Sequence, residues 1–215
     1  MQVFYTIALE DNMRVACIGA GTHLVSVLDS IKEDIQIVGV FDDLLENGNF
    51  HGIPQLGGLF EFPKYQEQYD RVIITIGDIL LRERLLSLVK EHSIPQYTVI
   101  DSSAVVSQNA CIEEGTFVGK RVIVNAEAKV GKACILNSGC IIEHGCVLEE
   151  NIHIAPGAVL CGNVHVSKDT LVGANSTVIQ SLSIASHTVV GAGACVCKNI
   201  SKAGIYVGVP AKEMK

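Results

Sequence analysis

The chain has 215 residues, 48% apolar and 18% charged, with a formal charge of −7. That composition is globular and holds one large or two modest domains, and its acidity argues against binding nucleic acid or an anionic membrane surface. No run of 18 apolar residues is present and the N-terminus lacks a secretory pattern, so a cytoplasmic protein without membrane insertion is expected.

Met1 to Asn12 read only as a short edge element or a lead-in. From Met13 the pattern is α/β. MRVACIGA reads as a buried strand that ends in the loop Gly19-Ala-Gly21-Thr22-His23, Leu24 to Lys32 has helical periodicity, and IQIVGVFDD is a second strand closing on Asp42 and Asp43. His51 to Gly57 reads as a turn-rich connection and Leu59 to Tyr69 as a helix. RVIITIGD is a third strand ending at Gly77-Asp78, followed by an amphipathic helix over Ile79 to His92 with Arg82, Arg84 and Lys90 on its polar side. Alternating strands and helices predict a small parallel sheet with right-handed crossovers. Its binding crevice is expected beyond the strand ends, where the Gly19, Asp42 and Gly77 loops converge. Gly19-x-Gly21 with an acidic pair about twenty residues on is an incomplete dinucleotide fingerprint, because Leu24 stands at the third glycine. A mononucleotide or nucleotide-sugar site keeps the useful physics of a glycine loop at a helix start; a purely structural turn is the bland alternative.

From Val99 to Ile200 the chain parses, without an insertion, into seventeen blocks of six whose second residue is Ile, Val or Leu. Neither an amphipathic helix nor an alternating strand has that period; a parallel β-helix does. Each second residue (Ile100, Val106, Ile112 and onward to Val196) should point into the bore. Small residues such as Ala128, Cys134 and Ala158 recur four places further on, and Gly115, Gly139, Gly145, Gly157, Asn163 and Asn175 sit where bends favour positive φ. After Ile200 a tail with turn chemistry at Gly208-Val-Pro210-Ala-Lys212 is expected. The eight cysteines have no CxxC spacing and read as reduced thiols; no metal site is expected. His51, His92, His165 and His187 carry no assigned role, and the spacing around His144 and His153 does not by itself make either catalytic.

Met13 to Lys215 resembles the NeuD/PglD-type sugar acetyltransferases through the GAGTH loop, FDD, the IGD strand end with Arg82 beyond it, IVNAEAKVG, ILNSGCIIEHGC, HIAPGA and GVPAK. The resemblance implies a small Rossmann-like α/β domain (1–98) that binds a nucleotide sugar, followed by a left-handed parallel β-helix of hexapeptide repeats with its tail (99–215). It also implies acetyl-CoA as co-substrate and N-acetylation of a nucleotide-linked 4-amino-4,6-dideoxyhexose for bacterial glycan such as lipopolysaccharide. His144 then corresponds to the general base and His153 to a histidine near the acetyl group. Gly21, Thr22, His23, Asp42 and Asp43 correspond to nucleotide-sugar contacts, with Gly77 and Asp78 at the same crevice, and Gly162, Ala174 and Ala192 to CoA-binding positions. Relatives place Glu or Asp directly after the catalytic histidine, whereas this chain has Gly145, which leaves Glu143 or an acid of another subunit to orient the ring.

A coil without protruding loops has flat sides, and a flat side encloses nothing, so a homotrimer with its sites between coils is expected. The alternatives are a sugar O-acetyltransferase with a sialic-acid-like acceptor, and a non-enzymatic trimeric scaffold whose first domain senses a nucleotide.

Overall fold

The computed structural model describes residues 13–45 and 48–214; the lead-in read at residues 1–12 lies outside them. The first unit is built on strands β1 (Arg14–Ile18), β2 (Gln36–Phe41), β3 (Asn49–Phe50), β4 (Ile53–Gly57) and β5 (Arg71–Ile74), in the order β3-β4-β2-β1-β5. Val15 to Ile18 are fully buried, as a central parallel strand covered on both faces requires. Helix α1 (Thr22–Leu28) follows the glycine loop, and α2 (Ile79–Glu91) follows β5, capped by the Asp78 carboxylate accepting from Leu81 N at 2.8 Å.

Three expectations are corrected in this unit. The connection at 51–57 carries β4, a strand parallel to β2, with β3 folded back on it as a hairpin. Gly39 makes this pairing possible, because a Cβ there would stand 2.4 Å from Leu56 Cγ. The helix read at 59–69 is a 3-10 helix over Phe62–Gln68 with Pro63 in its first turn. Arg82 is not on the polar side of α2: it is buried, in one row with Leu85, Leu86 and Val89.

The second unit is a three-sided prism, a left-handed parallel β-helix. Its strands are two or three residues long and each pairs with the strand 18 residues on, as Ile123 with Ile141, Lys129 with Val147 and Ile135 with His153. The ladder from Ile112 to Val196 fills the bore. The sixth residue of each block also points inward, which is why Cys134, Cys140 and Ala158 are fully buried. The fifth residue of every block from Gly115 through Gly193 has φ between 51° and 76°, including Arg121, Glu127, Ala133, Asp169 and His187. Corner geometry therefore overrides the usual cost of that conformation for residues with a Cβ.

The three faces carry different outward residues. The first shows Val99, Phe117, Ile135, His153, Leu171 and Val189; the second Val105, Ile123, Ile141, Val159, Thr177 and Cys195; the third Cys111, Lys129, Val147, His165 and Ser183. The tail is no loose end. Its strand Gly204–Val207 extends the first face beyond Thr188–Val190, and Lys212–Glu213 pairs antiparallel with it.

The α/β unit packs on the first face. Leu24, Val27 and Ile73 share one core with Val99, Phe117 and Ile135. Along the corner between the third and first faces, Arg82 donates to Ala133 O, Asn151 Nδ2 donates to Ile79 O at 3.1 Å, and Lys90 Nζ meets Glu150 at 2.7 Å. At the corner between the first and second faces, Lys120 meets Asp29 at 2.7 Å.

Candidate active site

His144 stands at the corner between the second and third faces, at the fourth place of the block Ile141–Cys146. Ile142 is driven into the bore and Gly145 takes φ +66°, so the residue between bend and strand has nowhere to go but outward; its side chain is 66% exposed. The positions one turn below and one turn above are small, Ala126 and Gly162, and the corners are joined by Gly145 N to Ala126 O at 3.0 Å and Asn163 N to His144 O at 2.9 Å. The imidazole lies over Gly162, where a Cβ would stand 2.6 Å from Cε1 and Nε2. Glu143 Oε2 lies 3.4 Å from Nδ1, which leaves Nε2 as the nitrogen turned to an incoming group. Beside Gly145 the space belongs to Asn163, whose Oδ1 would meet a Cβ at 2.3 Å.

His153 is elsewhere. It is on the first face, beneath the α/β unit, while the His144 corner is opposite that face. Burial, then the charge of Arg82, lowers its pKa to about 4, against the opposing pull of the Gly77 backbone. His23 packs edge-on against Phe117 with ring centroids 5.0 Å apart, and burial, Arg82 and His153 lower its pKa to about 4. The predicted set thus does not lie together within one chain: His144 and His153 are on opposite sides of the prism. Gly162 belongs with His144, whereas Ala174 and Ala192 stack 18 residues apart at the corner between the first and second faces.

The residues expected to contact a nucleotide sugar lie at the ends of three neighbouring strands, β2, β1 and β5. Gly19 has φ +103°, and a Cβ there would meet Ile76 at 2.3 Å, so the loop closes only with glycine. Gly21 and Thr22 are exposed at the start of α1. Asp42 accepts from Ala20 N at 2.7 Å and Leu44 N at 2.8 Å, tying the two strand ends together. Asp43 braces the next turn by accepting from Leu59 N at 2.8 Å. Gly77 and Asp78 are exposed at the third strand end. Of the histidines without an assigned role, His165 is engaged by Glu149 at 2.9 Å and His187 lies 3.7 Å from Asp169. Burial pushes the thiols of Cys17, Cys134 and Cys140 up to about 12, which removes them as nucleophiles near neutrality.

Residues 14–89 match the PglD N-terminal domain family. PerB of Caulobacter crescentus, in complex with CoA and GDP-perosamine, is 30% identical, with 95% of this chain and 98% of that chain covered and a TM-score of 0.86. This chain belongs to the NeuD/PglD-type sugar acetyltransferase family. It is an acyltransferase. A histidine variant of the perosamine N-acetyltransferase of the same organism, with the same two ligands, is 29% identical over 95% and 97% of the chains with a TM-score of 0.87. The acetyltransferase domain of PglB from Neisseria gonorrhoeae in complex with acetyl coenzyme A is 26% identical over 94% and 100%, with a TM-score of 0.85.

Two features are not evident from residue type alone. Beyond its place among the expected CoA positions, Gly162 lacks the side chain that would meet the His144 ring. Arg82 is a charged residue, yet its spacing to Leu85, Leu86 and Val89 is that of an apolar helix face.

Proposed function

We propose that the protein transfers an acetyl group from acetyl-CoA to the amine of a nucleotide-linked 4-amino-4,6-dideoxyhexose. The observation that carries this reading is the exposed imidazole of His144, cleared by Gly162 and held at Nδ1 by Glu143, in a family of which PerB has been solved with CoA and GDP-perosamine. Nε2 of His144 accepts the proton as the amine attacks the thioester carbonyl, and the C–S bond breaks to release CoA as thiol. Glu143 keeps the tautomer that leaves Nε2 free and stabilises the imidazolium, from the opposite side of the histidine to the acid usual in relatives. His153 is the acetyl-side histidine and Gly162, Ala174 and Ala192 line the CoA path. Gly21, Thr22, His23, Asp42, Asp43, Gly77 and Asp78 form the nucleotide-sugar crevice.

The opposition of the His144 corner to the first face supports assembly as a homotrimer. Within one chain the base and the α/β unit stand on opposite sides of the prism, so a neighbouring copy must bring one to the other. Val105 at 64% exposure and the half-buried Ile123, Ile141 and Val159 give the second face an apolar row for that contact.

The test is release of free thiol from acetyl-CoA against UDP-, dTDP- and GDP-linked amino sugars, with light scattering for mass. Turnover with one of the panel, at three times the chain mass, is expected. His144→Ala should lower kcat by roughly 100- to 10,000-fold without changing the folded spectrum. Thiol release unaffected by that substitution would remove His144 from the mechanism.

A further inference from the structure

The last turn of the coil carries Cys195-Val196-Cys197, and the bore decides where these side chains go. Val196 is buried as the last residue of the inward ladder, so its two neighbours are turned outward together on one side of the extended chain. Their sulfurs lie 3.5 Å apart, and Cys197 Sγ also donates to Cys195 O at 3.6 Å. Cys197 is the only exposed cysteine among the described residues, and Cys195 is half-buried. Cys161 stands on the same edge two turns below Cys197, with Ile179 between them. Thr177 separates Cys195 from the aliphatic row of the second face, which ends at Val159. The tail hangs on the Cys195 backbone, whose N–H donates to Gly208 O at 3.0 Å and whose carbonyl accepts from Ala211 N at 2.7 Å.

We propose that Cys195 and Cys197 form a reversible oxidation site, a dithiol that a low-molecular-weight disulfide converts to a bridge within the chain. The Cys197 thiolate, the more accessible of the two, attacks one sulfur of the oxidant, whose S–S bond breaks to release one small thiolate. The Cys195 thiolate then attacks the Cys197 sulfur of the mixed disulfide, and the second small thiolate leaves. The protein has given up two electrons and two protons, and the oxidant has become two thiols. The hydrogen bond to Cys197 raises the pKa of Cys195 above the ordinary thiol value, which suits it to react second. To bond, the sulfurs must close from 3.5 Å to about 2.05 Å. Residues two apart in an extended chain have Cα atoms about 6.6 Å apart, the wide end of what a disulfide spans. A bridge made at that limit is strained and readily reduced, so the site should cycle rather than stay closed. Cys197 is three turns of the coil, roughly 14 Å, above Glu143 on the same edge, so the dithiol is separate from the His144 corner.

The experiment incubates the reduced full chain with oxidised glutathione, quenches by alkylation and maps the cysteines by mass spectrometry. Cys195 and Cys197 should lose their alkylatable thiols together, in a peptide lighter by two hydrogen atoms and carrying no glutathione, and an excess of reduced glutathione should restore both. Cys195→Ser should trap glutathione on Cys197, because no neighbouring thiol is left to resolve the mixed disulfide. Three results overturn the proposal: both thiols still alkylated in excess oxidised glutathione, glutathione retained on Cys197 of the unaltered chain, or a bridge that joins two chains instead of closing within one.

Discussion

Two corners of the same coil share a repeat, a backbone conformation and a hydrogen-bonding register, yet they do different things. At the corner between the second and third faces, Gly145 and Asn163 bend the chain at φ +66° and +59° under no tertiary cover from the α/β unit, and His144 stands out beside them. At the corner between the third and first faces, Asn151 and Asp169 bend at φ +57° and are 1% and 5% exposed beneath α2. The hexad dictates the bend. What covers the bend decides whether a corner side chain stands free or fastens the two units.

The comparison breaks most sharply at Gly162. Gly162→Ala puts a methyl group where the His144 ring now lies, and kcat should fall roughly 100-fold while the melting temperature hardly moves, which steady-state kinetics with a thermal melt will check. A pair of matched substitutions comes next. Asn151→Gly keeps the left-handed bend but strips Ile79 O and Asp169 of their buried donor, so denaturant unfolding should show a loss of about 1–3 kcal/mol. Asn163→Gly, the same change at the open corner, should cost under about 0.5 kcal/mol. Equal costs at the two corners would mean that α2 does not fasten there.

A smaller effect is expected at the acid beside His144. Glu143→Gln should lower kcat about tenfold, since the Nδ1 contact survives as a neutral one but the carboxylate no longer stabilises the imidazolium.

The covered seam also makes stability depend on pH, with a definite sign. His23 and His153 have pKa values near 4 in the folded chain, below the ordinary 6.5, so the unfolded chain takes up protons that the folded one refuses. Their contribution is full above pH 6.5 and drains away as pH falls toward 4. The melting temperature should therefore drop between pH 7.5 and pH 5. His23→Gln combined with His153→Gln should shrink that drop, which differential scanning calorimetry can measure.

The helix α2 shows how far the residues could be read and why reading stopped. Its existence and its limits followed from periodicity, which is local. Arg82 was misplaced because charge was weighed above spacing: residues at i, i+3, i+4 and i+7 share a face whatever their type, and three of these four are aliphatic. The β4 strand was missed for the opposite reason. Pro54 and two flanking glycines look like turn chemistry, and only the groove that Gly39 leaves for Leu56 turns the segment into a sheet edge.

By itself the sequence determined the coil: its period, its inward ladder and its positive-φ bends, because each of these is fixed within one turn and repeated by stacking. The strand-helix alternation likewise fixed the small parallel sheet. Tertiary structure alone decided that the α/β unit lies on the first face, that Arg82 is buried against Ala133 and His23 against Phe117, and that the His144 corner stands opposite that face. Those outcomes depend on which surfaces of two distant segments are complementary, and no periodicity along one chain encodes a contact between residues 50 to 130 positions apart.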